Sequence, residues 1–111
     1  MAAVANLRID QGASFSSDVT VTNSDGNAVD LAGYTAEARL AKSYGASSNV
    51  SFTVAIADDT TTGVITLSLN DTQTGALDAP ARYVYDVYIT QTSTSTVTRV
   101  IEGVITVNPK V

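Results

Sequence analysis

Along most of this chain, apolar and polar residues alternate with a period of two, the signature of half-buried strands. In "SFSSDVTVT" (14–22), Phe15, Val19 and Val21 share a face, with Ser17 between them. "NVSFTVAIA" (49–57) aligns Val50, Phe52, Val54 and Ile56 against Ser51 and Thr53. "GVITLSLN" (63–70) sets Ile65, Leu67 and Leu69 against Thr66 and Ser68. In "RYVYDVYIT" (82–90), Tyr83, Tyr85, Val87 and Ile89 oppose Asp86, Tyr88 and Thr90. "TRVIEGVITVN" (98–108) has Ile101, Ile105 and Val107 on one side and Glu102 and Thr106 on the other. A short segment, "NLRID" (6–10), adds Leu7 and Ile9.

Turn-forming stretches separate these runs: "NSDGN", "SYGASS", "ADDTTTG", "DAPA" and "TSTST". "DTQTGALDA" (71–79) predicts one helical turn, with Asp71 as its N-cap and Leu77 as its apolar anchor. Gly103 interrupts the last strand, where a bulge or a close backbone approach is the usual reason.

One stretch conflicts with its neighbours. "AEARLAK" (36–42) consists of strong helix formers. As a helix it would stack only Ala36, Leu40 and Tyr44, lacks a capping box, and is too short to stand alone in water. As a strand, "YTAEARLAK" alternates, with Ala36, Ala38 and Leu40 inward and Glu37, Arg39 and Ala41 outward. A strand also gives its backbone partners, so tertiary context overrides propensity and residues 36–42 are predicted as strand. Seven strands with short connections predict an all-β, two-sheet antiparallel sandwich in a single domain spanning residues 1–111. Small Ala36 and Ala38 would leave room for Phe15, Phe52 or Tyr85 across the core.

Composition narrows the chemistry. The chain has 111 residues, no Cys and no His, which removes disulfides, thiolate metal sites and any catalytic arrangement built on imidazole. Net charge is −5, and the six Lys and Arg residues form no patch, so nucleic acid is not an expected partner. No stretch reaches the about 18 apolar residues of a membrane helix, and the N-terminus lacks the pattern of a signal peptide. A soluble chain made in a cytoplasm, without a membrane partner, is expected.

Several groups invite a functional reading beside a plainer one. Asn23, Asp25, Asn27 and Asp30 faintly echo a calcium loop, but the glycine is misplaced and no Glu closes it. A hairpin turn in which Gly26 supplies the positive φ explains the same residues. Asp58 and Asp59 are adjacent, and neighbouring side chains in an extended segment point apart, so they make a poor acid/base pair. Tyr88 faces outward, and Tyr34 and Tyr44 fall in predicted loops; together they are candidates for ligand stacking or for an interface. Glu37, Arg39, Arg99 and Glu102 read as cross-strand charges. These residues point to no enzyme, no metal site and no cofactor.

With the strands placed, the order "IDQGASF", "GNAVDLAGYTAEARL", "GVITLSL", "TGALDAPARYVYDVYI" and "TRVIEGVITVNP" resembles a family of small bacteriophage domains. This is the immunoglobulin-like module at the start of phage baseplate upper proteins and in related short virion proteins. The resemblance spans about residues 9 to 109 and is most specific in "VDLAGYTAEARL", "YVYDVYI" and "RVIEGVITVNP". The chain departs from the family at Asn27-Ala28, where Pro is frequent, and in "TSTST", which lacks the usual glycine. The resemblance implies an immunoglobulin-like sandwich and a non-enzymatic structural role in a virion, as a head decoration, neck, tail or baseplate component. It implies other virion proteins as partners, with many copies or a homo-oligomer in the assembly. It transfers no active residue. The alternative is a carbohydrate-binding or adhesin-type recognition module using Tyr34, Tyr44 and Tyr88.

Overall fold

The period-two segments form strands in the computed structural model, which describes residues 3–23, 25–43, 45 and 49–110. Among these are nine strands: β1 (Ala3–Val4), β2 (Leu7–Asp10), β3 (Phe15–Thr20), β4 (Tyr34–Ala41), β5 (Val50–Ser51), β6 (Thr53–Ile56), β7 (Val64–Leu69), β8 (Ala81–Gln91) and β9 (Thr96–Asn108). A 3-10 turn (Thr60–Thr62) and one short helix, α1 (Asp71–Gly75), complete the regular elements. The "AEARLAK" segment belongs to β4, paired along its whole length with β8. Leu40 and Ala38 are buried inward, while Glu37 and Arg39 are exposed.

The strands form two sheets. The larger runs β1-β9-β8-β4-β5, with β2 continuing the line of β1 along β9; the smaller runs β3-β7-β6. One apolar cluster draws on both, with Val19, Ile65 and Leu67 from the smaller sheet and Leu40, Tyr85, Val87 and Ile105 from the larger. The fold is all-β, as the alternation predicts.

Besides the strand count, nine where seven are expected, three features differ from the sequence expectation. First, pairing is not antiparallel throughout, because β1 and β2 run parallel to β9. These strands lie at opposite ends of the chain, so no hairpin forces an antiparallel arrangement. Second, residues 49–57 are not one strand. Val50 and Ser51 pair with β4 in the larger sheet, whereas Thr53–Ile56 pair with β7 in the smaller one. The chain changes sheets at Phe52, whose N–H donates to the Ala38 carbonyl at 2.9 Å. Such corners let one strand serve two sheets. Third, the N-cap of α1 is Asn70, not Asp71. Asn70 Oδ1 accepts from the Gln73 N–H at 2.8 Å, and Gln73 Oε1 accepts from the Asn70 N–H at 2.9 Å, a capping box. Leu77 is buried as expected. Thr74, fully buried, accepts from the Gly12 N–H and donates to the Ala13 carbonyl, fastening α1 to the turn after β2.

Gly103 marks a close backbone approach. A Cβ on it would lie 2.0 Å from the Ala5 carbonyl oxygen and 2.9 Å from the Tyr85 ring. Between β1 and β2, Ala5 therefore turns its carbonyl into the space a side chain would fill, and the Tyr85 hydroxyl donates to it at 2.5 Å. The Tyr85 ring meets Phe52 edge-on, with centroids 6.2 Å apart, and Phe52 meets Phe15 at 6.0 Å. An aromatic file thus crosses from the larger sheet through the chain corner to the smaller sheet. The irregularity in β9 lies elsewhere, where the register with β8 slips between Val87 and Tyr88 and leaves Val100 as the extra residue.

Two substitutions probe this arrangement. Gly103→Ala drives a methyl group into the Ala5 carbonyl and is expected to cost about 2 kcal/mol or more in urea unfolding, as overpacking of a filled core does. A wild-type unfolding midpoint would place Ala5 away from Gly103. Leu40→Asp puts an unpaired carboxylate at a core position and is expected to abolish cooperative melting. A variant that melts like the wild type would mean that Leu40 does not face the core.

Candidate interaction surface

The outer face of the larger sheet gathers the cross-strand charges and the outward tyrosine singled out in the sequence. Register sets them in rows across three strands. Glu37 of β4 stands opposite Tyr88 of β8, which stands opposite Arg99 of β9. In the next row Arg39 opposes Asp86, which opposes Glu102. Residues 99 and 102, three apart, would face opposite sides of a regular strand. The extra residue at Val100 turns Arg99 back to the face that Glu102 occupies.

Arg99 therefore bridges two strands. Its Nη1 lies 2.7 Å from Glu102 Oε2, and its Nε lies 3.6 Å from Asp86 Oδ2. All three side chains remain about one-third exposed or less, drier than the Glu37–Arg39 pair at 3.9 Å, whose side chains are more than half exposed. Partly exposed pairs of this kind contribute about 1 kcal/mol or less each. Their larger effect is to give the face a set pattern of charge. Beside the pattern lies an open depression of about 490 Å³ lined by Gly45, Asp86, Tyr88, Arg99 and Glu102. An adjoining hollow of about 180 Å³ shares Asp86 and Gly45 and reaches Arg39 and Asn49.

The three candidate tyrosines do not form one platform. Tyr88 is half-buried on the outer face at the depression. Tyr34 is not in a loop: it opens β4 and packs half-buried against the core, on the opposite face of the sheet. Tyr44 lies outside the described residues. The other two strand tyrosines point inward, and the Tyr83 hydroxyl accepts from the Asp78 N–H at 2.9 Å.

The acidic loops spend their oxygens on turns. Asn23 Oδ1 accepts from the N–H groups of Asp25 and Asn27, and Gly26 has φ +84°, the positive value expected there. Asp59 caps the 3-10 turn by accepting from the Thr61 N–H, while Asp58 is exposed beside it. Asp30 Oδ1 accepts from the Ala32 N–H at 3.0 Å and the Thr60 hydroxyl at 2.8 Å, joining the loop before β4 to the turn before β7. Among the described residues no three acidic side chains gather as metal ligands do. Sequence reasoning missed Asp30 as a clasp, although an Asp two residues ahead of a turn N–H is a recognisable Asx pattern. It missed the capping role of Asn70 as well, although the Asn70–Gln73 spacing spells it.

The Asp30 clasp has a consequence at low pH. The Ala32 N–H, then the Thr60 hydroxyl, hold its carboxyl below the usual value of 3.8. A depressed carboxyl pKa gives stability that is complete above the unfolded value and is lost as pH falls through the folded one. Asp30→Asn is therefore expected to flatten the decline in urea midpoint between about pH 5 and about pH 2. Identical slopes for variant and wild type would show that the clasp is not formed.

No protein-family model matches this chain, and the search of curated proteins finds no match.

Proposed function

We propose that this chain is an immunoglobulin-like structural module of a bacteriophage virion, acting through protein–protein contacts and not through catalysis. The fold part of this reading rests on wiring. With β1 and β2 taken as strand A and the rest lettered in order, the larger sheet reads A-G-F-C-C′ and the smaller B-E-D. The single observation that carries it furthest is Tyr83. It stands near the start of the strand lettered F, and its hydroxyl bonds back to the backbone of Asp78, five residues upstream. The tyrosine corner of immunoglobulin-like sandwiches has a tyrosine placed and bonded in this way, which supports the reading.

The virion role comes from the order of motifs that resembles the phage family, since fold alone names no function. The outer face of the larger sheet supports it. Tyr88, Arg99, Arg39, Asp86 and Glu102 form a broad, shallow surface of patterned charge with an aromatic at its centre. Tyr and Arg are among the residues enriched where proteins meet. The departure from the family in the last hairpin is absorbed locally, because Ser95 takes φ +57°, the conformation a glycine would otherwise supply.

The test is co-sedimentation from the native source. The protein is expected to travel with a large particle at a constant ratio to a major capsid or tail protein. Free, substoichiometric protein would sink the structural reading, and a glycan screen of that material would then address the recognition-module alternative.

A further inference from the structure

Four sheet edges remain when the strands are assembled, and the three other than β3 are short or interrupted, including the stretches of β4 (34–37) and β9 (96–100) that β5 and β1 leave uncovered. β5 has two residues and β6 four. The line of β1 and β2 breaks at Ala5 and Asn6, where the chain turns inward. The fourth edge, β3, is different. It has six residues and continues straight into Val21, whose N–H donates to the Gly63 carbonyl at 2.7 Å, and Thr22, which bridges Ala28.

Alternation identifies which groups are free. Because Val21 bonds toward Gly63, the odd-numbered residues of β3 bond toward β7, and the even-numbered ones point their N–H and C=O groups away. Ser16, Asp18, Thr20 and Thr22 are all exposed and make no backbone hydrogen bond on that side among the described residues. The usual protections of an edge are missing: residues 15–22 contain no Pro, no Lys or Arg and no bulge. Asp18 is the only charge. Half-buried Phe15 and Ser17 lie on the inner face of the same edge.

We propose that this edge binds the same edge of a second copy, antiparallel about a two-fold axis at Val19, joining two smaller sheets into one. Self-complementarity selects that occupant and its register. The free residues 16, 18, 20 and 22 are symmetric about 19, so one register uses all of them: Ser16 opposite Thr22 and Asp18 opposite Thr20 of the second copy. Each such pair exchanges two backbone bonds. The Thr20 hydroxyl then faces an Asp18 carboxylate, and Val19 meets its own symmetry mate. An axis at residue 18 would instead set the two Asp18 carboxylates against each other, which is unfavourable. The proposal stands without the virion reading, because it concerns the edge alone. A single strand pair falls short of the about 1,000 Å² of a stable interface, so the dimer is weak and forms where copies are concentrated.

Sedimentation equilibrium from about 10 µM to about 1 mM, a range suited to a small interface, tests it. The wild type is expected to show a monomer–dimer equilibrium within that range. Thr20→Pro removes an outward N–H while leaving the ladder to β7 intact, and is expected to stay monomeric with unchanged circular dichroism. Asp18→Asn removes the diagonal repulsion between the two carboxylates and is expected to tighten the dimer about threefold. Amide hydrogen exchange gives a reading that does not depend on any variant folding: Ser16, Asp18, Thr20 and Thr22 should gain protection as wild-type concentration rises. A wild type that is monomeric throughout, a Thr20→Pro variant that dimerises as the wild type does, or unchanged exchange at those four amides would overturn the proposal.

Discussion

The hydroxyl of Tyr85 meets the carbonyl of Ala5 in a space that exists because residue 103 has no side chain. Much of the architecture depends on this contact. A backbone carbonyl turned toward the core needs a donor, and burying it unpaired would cost about 1–3 kcal/mol. Tyr85 supplies that donor from the neighbouring strand, and its ring covers the glycine. The first strand can therefore lie parallel along β9, turn in at Ala5 and resume at Leu7 without losing register. The ring also begins the aromatic file through Phe52 and Phe15 that joins the two sheets. One small residue thus positions the N-terminal strand, an inward tyrosine and the chain corner together.

The same economy governs the surfaces. Phe52 is where the chain leaves the larger sheet, which keeps β5 and β6 short and leaves little edge on that side. The extra residue at Val100 brings Arg99 onto the face of Asp86 and Glu102, so a local break in pairing creates the charge pattern of the outer sheet. With the first strand committed to β9, no described strand flanks β3 on its outer side. The arrangement that closes one sheet leaves the other open. Faces and edges are thus what these pairings leave exposed. The described acidic loops fit that picture, because their carboxylates hold turns together and do not converge on a site.

Much of this is visible in the residues themselves. Alternation in 82–90 and 63–70 decides which side chains face inward, because a two-residue period leaves no other choice for a half-buried strand. The strand at 34–41 can be read despite its helical composition, since an isolated short helix has nothing to support it and a strand has neighbours on both sides. Gly103 as a close approach, Gly26 as a turn and Leu77 as an anchor are likewise legible, because each follows from the size or conformational range of one residue. Absence of His and Cys narrows the chemistry before any coordinate is known.

What the sequence alone could not decide are the matters that depend on residues far apart in the chain. Residues 49–57 keep one alternating pattern, but only the positions of β4 and β7 determine that Phe52 is a corner. Parallel pairing of β1 and β2 with β9 joins the two ends of the chain, and no local signal encodes it. Tyr34 reads as a loop residue in the sequence, yet pairing of β4 with β8 begins at it and sets it inward, on the face opposite Tyr88. The bulge at Val100 has no Gly to announce it, so Arg99 reaches its carboxylates only in the folded sheet. Local physics chose the strands and their inward faces; long-range pairing chose which strands are neighbours, and with that which surfaces stay open.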